Sequence, residues 1–224
     1  MKRGASGTRS GMPELPAPRP VLWPLRPRES ARVSKTTTDG QVRVTIEHAP
    51  LAGVTPEMLA WWYRHVPGTM MYAGTRQPRY LVWHPLDHIS YEIESPGVDG
   101  GVSAGARLHI TEAIGRNLDT LIDLHVGVDE IDDRSATIAK RILGSSLVRL
   151  ENEYAAIGGD TRYVTRLVLG DDTVPGRLLL NKFARTKAFP EHKIGPWIRH
   201  HIEEIGNLEN FLPDLVRYQA DHEP

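Results

Sequence analysis

The pattern of apolar and polar positions divides the chain into a strand, a helix, a run of strands and a long closing helix. Residues 41–46 alternate between polar and apolar side chains, which predicts a first strand. Thr55 followed by Pro56 is typical of a helix N-cap with proline in the first turn. We therefore expect a helix from Glu57 to about His65.

Period-two alternation dominates the middle of the chain and is typical of antiparallel strands. Residues 118–128 are the clearest case, because apolar side chains occupy one face of the predicted strand and aspartates the other. Further strands are predicted at 79–83, 89–93, 108–114, 135–142, 146–154 and 161–169. After Pro175 the apolar spacing becomes helical, which predicts helices at 176–187 and 191–218.

This order of elements favours one packing. A curved antiparallel sheet can bury its apolar face by wrapping around the long C-terminal helix. The predicted fold class is therefore α+β, a helix-grip arrangement. Such an arrangement leaves a cavity between the sheet and the helix.

Residues 1–38 differ in composition from the rest of the chain. Six prolines lie between positions 13 and 27, and arginines and small residues surround them. Proline at this density prevents both helices and sheet ladders. We predict a flexible N-terminal arm at 1–38, which Trp23 partly anchors, and a single domain at 39–224.

Composition excludes several classes of function. The 224-residue chain has a net charge of −1 and no basic stripe with interleaved aromatics, so nucleic acid is not an expected partner. It has no cysteine, which excludes disulfides, thiolate zinc sites and cysteine nucleophiles. Neither a membrane span nor a signal-peptide core is visible, so we expect a soluble, cytoplasmic protein without a membrane partner.

The segment 199–213 carries the most informative chemistry. In a helix, His200 and Glu204 lie one turn apart on the same face, and apolar residues at 197, 208, 211 and 215 share that face. The alternatives are a solvated ion pair or a capping contact within the helix, with His201 and Glu203 as competing candidates one register away. An apolar face favours a buried pair, and a buried pair of this kind indicates a metal site.

Glu112 is a second candidate ligand. It falls on the inward face of a predicted strand together with Leu108, Ile110 and Ile114. A register shifted by one residue would instead turn His109 inward and Glu112 to solvent. The apolar alternation favours the inward glutamate, which needs a cation or a hydrogen-bond network.

The segment Trp83–Ile89 supplies two histidines, His84 and His88, and either could complete the site. Asp87 could orient an imidazole from behind. Two imidazoles and two carboxylates make a plausible zinc site, although iron or manganese accepts the same donors.

Residues 83–89 and the C-terminal run from His200 to Pro213 resemble the 2,4-diacetylphloroglucinol hydrolase family, which includes phloretin hydrolase. The likeness spans about residues 40–218. It implies a Bet v 1-like helix-grip fold. It also implies a hydrolase that cleaves the carbon–carbon bond between an acyl group and a phenolic ring.

Carried onto this chain, the resemblance implies one zinc ion held by His88, Glu112, His200 and Glu204. It also implies that Tyr80 binds the substrate, an aromatic ketone, and Tyr163 is a candidate for a second substrate tyrosine. One departure is visible: Tyr91 stands where the phloroglucinol enzyme has asparagine. The sequence leaves the oligomeric state open, a homodimer included.

Two other functions fit the same fold. One is a non-enzymatic module that binds a small molecule in the cavity. The other is a polyketide cyclase or aromatase, which needs acid–base residues but no metal cluster.

Overall fold

An eight-stranded antiparallel sheet forms most of the structure. The computed structural model describes residues 15–174 and 176–218. Within these ranges the strands are β1 (Arg32–Thr38), β2 (Gln41–Glu47), β3 (Thr69–Tyr72), β4 (Thr75–Pro78), β5 (His88–Ser95), β6 (Arg107–Ala113), β7 (Leu121–Ile131), β8 (Ser135–Ile142), β9 (Ser145–Ile157) and β10 (Asp160–Leu169). The large sheet has the order β1-β2-β10-β9-β8-β7-β6-β5, and β3 and β4 form a separate hairpin.

Helices cover one face of this sheet. They are α1 (Pro56–His65), α2 (Arg79–Trp83), α3 (Asn181–Phe183) and α4 (Glu191–Tyr218). Wide π-helical turns at Gly176–Leu180 and Ala184–Ala188 flank α3. Short 3-10 turns lie at Arg28–Ser30, Ile114–Arg116 and Leu118–Thr120.

The long helix α4 lies against the concave face of the sheet. Trp197, Leu208, Phe211 and Leu215 are all buried, as their shared face predicts. The prediction of an α+β, Bet v 1-like helix-grip fold is confirmed, because a curved antiparallel sheet packs around one long C-terminal helix.

Local signals placed α1 correctly. The hydroxyl of Thr55 accepts a hydrogen bond from the backbone N–H of Met58 at 3.3 Å. Pro56 occupies the first turn, where its missing N–H has no partner to lose. The strands predicted at 135–142, 146–154 and 161–169 are confirmed as β8, β9 and β10.

The strand predicted at 79–83 is wrong, because these residues form α2. A run of five residues is too short to show helical periodicity, so its apolar character mimics a strand. A residue distant in the sequence supports the helix. The side-chain amide of Asn207 donates to the carbonyl oxygens of Val82 and Trp83 at 3.2 and 3.1 Å, which satisfies carbonyls at the end of the helix.

The predicted strand at 118–128 begins later than the alternation indicates. Residues 118–120 form a 3-10 turn, and the side chain of Asn117 accepts a hydrogen bond from the Asp119 backbone N–H at 2.9 Å. From Ile122 onward the alternation describes β7. The turn predicted at 132–135 is confirmed between β7 and β8.

The arm predicted at 1–38 is wrong for Arg32–Thr38, which form the edge strand β1 paired along its length with β2. Its side chains are mostly exposed, so the strand shows no apolar alternation that sequence reasoning could detect. Trp23 packs against Tyr72 and Phe211, with ring centroids 5.6 and 6.2 Å apart. Residues 1–14 lie outside the described part of the chain.

Among the described residues, no helix combines the length and the apolar character needed to cross a lipid bilayer.

Candidate metal centre

Four polar side chains from three elements converge between the sheet and α4. His88 begins β5, and Glu112 lies directly opposite it in the register of β5 and β6. His200 and Glu204 project from α4 one turn apart. His88, His200 and Glu204 are 5%, 1% and 4% exposed, which excludes the solvated ion pair as an interpretation of His200 and Glu204.

One donor atom each of His88, His200 and Glu204 lies within 4.8 Å of the other two, a group that could hold a metal ion, and the two oxygens of Glu112 approach the two histidines. The Nε2 atom of His88 lies 3.3 Å from Glu204 Oε2 and 3.6 Å from Glu112 Oε1. The Nε2 atom of His200 lies 3.5 Å from Glu112 Oε2 and 3.8 Å from Glu204 Oε2. A tetrahedral zinc ion with bonds of about 2.0–2.2 Å separates its ligand atoms by about 3.3–3.6 Å. Three of the four separations fall within this range, and the fourth, from His200 Nε2 to Glu204 Oε2, is 3.8 Å.

His88 presents a lone pair to this point. Its Nδ1–H donates to the carbonyl oxygen of Tyr80 at 2.7 Å, which leaves Nε2 unprotonated in the neutral ring. That Nε2 is buried and has no hydrogen-bond partner among the described residues. An orphaned buried nitrogen is costly unless something binds it, and a metal ion would satisfy it.

His200 is oriented in the same way by a carboxylate. Its Nδ1 lies 3.0 Å from Asp87 Oδ2, so Nε2 points toward the convergence point. The prediction that Asp87 orients an imidazole is confirmed, and the imidazole is that of His200. A carboxylate behind a ligating histidine is the usual support in metal sites, because it fixes the tautomer and increases the basicity of the ring.

The electrostatics of the cluster favour a cation. Burial lowers the pKa of His200, but the hydrogen bond to Asp87 and the charges of Glu112 and Glu204 outweigh it and raise that pKa to about 9. Burial raises the pKa of Glu204, yet the neighbouring histidines, His201 first among them, hold it well below its ordinary value. Carboxylates that remain ionised while buried need positive charge nearby.

Asp87→Asn is expected to weaken zinc binding about 10–100-fold, because the amide no longer supports the ligating face of His200. Competition with a chromophoric chelator measures this change. Glu203→Gln is the matched control, because Glu203 contacts His84 rather than His200. The zinc affinity of this variant should stay within about threefold of the wild-type value. Equal affinity in Asp87→Asn and wild type would contradict the role of Asp87.

The structure separates the two histidines of the 83–89 segment. His84 accepts a hydrogen bond from the backbone N–H of Asp87 at Nδ1 and faces Glu203 Oε2 from Nε2, at 3.2 and 3.1 Å. Both of its nitrogens are therefore engaged away from Glu112 and Glu204. His88 is therefore one of the four donor residues, and His84 is not. His84, Asp87 and His200 form a separate buried group next to them.

Tyr80 stands beside the donors as the resemblance implies. Its hydroxyl donates to Glu112 Oε1 at 2.6 Å, and its ring stacks on that of His88 with centroids 3.9 Å apart. Burial and the nearby Glu112 raise the pKa of Tyr80 well above its ordinary value, so the phenol stays protonated as a hydrogen-bond donor.

Sequence reasoning missed a polar network behind Glu204. His201 Nδ1 contacts Glu204 Oε1, and His201 Nε2 lies 3.1 Å from the hydroxyl of Thr165. That hydroxyl also meets His48 Nε2 at 3.1 Å. The spacing of three residues between His201 and Glu204 also places them next to each other on a helix. The spacing of four between His200 and Glu204 led us to pair Glu204 with His200 instead.

Tyr163, the candidate for a second substrate tyrosine, does not line the cavity next to the donors. It is fully buried, and its hydroxyl contacts that of Tyr63, which is the member of the pair that lines the cavity.

A cavity opens beside the donors. Its volume is about 110 Å³. Glu112, Glu204, Tyr80 and His201 contribute to its wall, whereas His88 and His200 do not. The carboxylate side of the cluster therefore faces the cavity, and the imidazoles approach from behind.

A third group of donors lies on the outer face of the sheet. His109 and His125 stack at 4.2 Å, and each is paired with a carboxylate, Asp123 and Glu94 respectively, at 2.6 Å. These side chains are partly to well exposed.

The sequence matches no protein-family model and no curated protein. Among solved structures, the KanY protein aligns with 81% of this chain and 96% of its own at 14% identity and a TM-score of 0.47. Ara h 8.0201 aligns with 82% of this chain and 99% of its own at 12% identity and a TM-score of 0.45. Protein Ms6760 from Mycobacterium smegmatis aligns over 85% and 98% of the two chains at 12% identity and 0.45. At these values the likenesses bear on neither chemistry nor substrate.

Proposed function

We propose that this protein is a zinc-dependent hydrolase that cleaves the carbon–carbon bond between an acyl group and a phenolic ring. The observation that carries the proposal is the convergence of His88, Glu112, His200 and Glu204 at zinc-like spacing on the wall of a cavity. The resemblance of residues 83–89 and 200–213 to the phloroglucinol hydrolases supplies the reaction and the class of substrate.

The donor set is compatible with zinc. Two imidazole nitrogens and two carboxylate oxygens are accepted by zinc, and also by iron and manganese. An ion bound here supplies Lewis acidity, which acidifies a water molecule or polarises an acyl oxygen. Of the four residues that would hold the ion, Glu112 and Glu204 line the cavity.

The remaining chemistry falls to the substrate and the protein. The phenol first takes its keto form, so that the ring carbon bearing the acyl group is tetrahedral. Water then adds to the acyl carbon, the bond to the ring breaks, and the ring leaves as an enolate that is protonated to the phenol. The acyl group leaves as a carboxylic acid.

Tyr80 is placed to serve this reaction. It is neutral and lies on the cavity wall, and its hydroxyl donates to Glu112 in this structure. A ring hydroxyl or the acyl oxygen of the substrate would take over this hydrogen bond when Glu112 binds a metal ion. Donors aimed at developing negative charge are effective in a site that excludes bulk water. The aliphatic side chains on the rest of the wall provide that exclusion.

A screen of acylated phenols tests the proposal. Purified protein loaded with zinc should release carboxylic acid from at least one acyl phloroglucinol or acyl resorcinol. Removal of the ion with a chelator should abolish the release, and added zinc should restore it. Release that persists in the chelated protein, or none from any acyl phenol with zinc bound, would contradict the proposal.

The competing proposal is a binding protein or a cyclase of the same fold. The helix-grip architecture and the apolar cavity favour it, since both occur without any metal requirement. It predicts no stoichiometric metal in the purified protein. Elemental analysis separates it from the hydrolase at low cost.

A further inference from the structure

The cavity wall changes character with distance from the metal donors. Every cavity residue between positions 102 and 138 is aliphatic except Glu112. Those on the strands furthest from Glu112 are Leu108, Val126, Val128, Ile131 and Ile138, and Val102 joins them from the connection between β5 and β6. Polar atoms of this part of the wall are therefore confined to the end that holds Glu112.

The strand registers give the length of this apolar wall. Ile122 lies opposite Glu112 in the pairing of β6 with β7, and Val128 lies six residues further along β7. At about 3.3 Å per residue, the wall runs about 20 Å from the metal donors along β7. On β6 the step from Glu112 to Leu108 covers about 13 Å. A ligand in contact with this wall gains by burying hydrocarbon there and loses by burying a polar group.

Tyr91 marks the junction between the two regions. It pairs with Ile110 across β5 and β6, and its ring lies 5.2 Å from that of Tyr80. The hydroxyls of Tyr80 and Tyr63 are bonded to other side chains, whereas no partner for the Tyr91 hydroxyl occurs in residues 15–174 and 176–218. Burial raises the pKa of Tyr91, so its hydroxyl remains an uncommitted donor on the cavity wall.

We propose that the substrate is a phenolic ketone with an extended hydrocarbon substituent, whose polar head meets Tyr91 at the metal end while the hydrocarbon lies along β6 and β7. This inference rests on the proposed function for the reacting head, but the chain-binding wall can be tested apart from it. Tyr91 and the aliphatic wall then set the specificity, and the metal donors set the reaction.

Binding of phenols that cannot be hydrolysed tests the hydrocarbon wall. Resorcinols alkylated with a methyl, pentyl or decyl group carry the head without an acyl bond. Calorimetry on the zinc-loaded protein should show affinity rising about threefold to fourfold for each buried methylene. Affinity that is flat or falls as the chain lengthens would overturn the inference.

Two substitutions in β7 test where the hydrocarbon chain of the ligand binds. Val126→Phe narrows the apolar end and should remove most of the gain from pentyl to decyl while the methyl compound binds as before. His125→Phe adds the same ring on the outer face of the strand and should leave the series unchanged. A gain that persists fully in Val126→Phe would place the chain elsewhere and overturn the inference.

Tyr91→Phe tests the head contact. This substitution should weaken the binding of all three resorcinols by the same factor, about 3–10, because it removes a single hydrogen bond. Unchanged affinity would remove Tyr91 from the binding site. If affinity rises with hydrocarbon chain length but no acyl phenol is hydrolysed, the proposed function is wrong and this inference stands. If acetyl phenols are hydrolysed but chain length has no effect on affinity, this inference is wrong and the proposed function stands.

Discussion

Zinc content should fall from one ion per chain to nearly none when His200 or Glu204 is replaced by alanine, and hydrolytic activity should fall with it. Both side chains are buried on α4, and each provides an atom of the four-donor cluster. Structural zinc sites release about 10–16 kcal/mol on binding, or about 2.5–4 kcal/mol for each of four ligands. One lost ligand therefore weakens binding about 100–1000-fold.

Elemental analysis after dialysis measures this loss, and far-UV circular dichroism shows whether the sheet persists. The sheet should remain largely intact, because the strands pair independently of these two side chains. His125→Ala is the matched control, since it removes an imidazole from the outer face and should leave the metal content unchanged. Full zinc occupancy in both α4 variants would exclude these residues as ligands.

Tyr80→Phe should keep its zinc and lose about 100-fold or more of kcat, the usual loss when one donor to developing charge is removed. The variant retains the ring that stacks on His88 and lacks only the hydroxyl that bonds Glu112. Steady-state kinetics at saturating zinc, with metal content measured on the same sample, separates turnover from metal loss.

Tyr63→Phe provides the control for Tyr80→Phe. Tyr63 also lines the cavity, but its hydroxyl contacts Tyr163 rather than a metal donor. Its turnover should stay within about tenfold of wild type, the range of one neutral hydrogen bond. Unchanged kinetics in Tyr80→Phe on a hydrolysed substrate would refute the role given to Tyr80.

Local patterns predicted the parts of the site that lie on regular elements. The spacing of four places His200 and Glu204 on one helical face, and strand alternation turns Glu112 inward. Both patterns hold because each is a property of a single element. The apolar neighbours of His200 then indicate burial, which the structure shows.

Contacts between distant segments could not be read from the sequence. The choice of His88 over His84 depends on which imidazole the Tyr80 carbonyl orients toward the cluster. The helix at 79–83 depends on Asn207, more than 120 residues away. The network of His201, Thr165 and His48 joins α4 to β10 and to the residue that follows β2, and no spacing within one segment reveals it.

The most direct test of the account is anomalous diffraction at the zinc edge from crystals grown with zinc. The account predicts one strong peak inside the fold, about 2.0–2.2 Å from His88 Nε2, His200 Nε2 and one oxygen each of Glu112 and Glu204. A peak only at His109, Asp123 and His125 on the outer face, or none within bonding distance of Glu112 and Glu204, would contradict it.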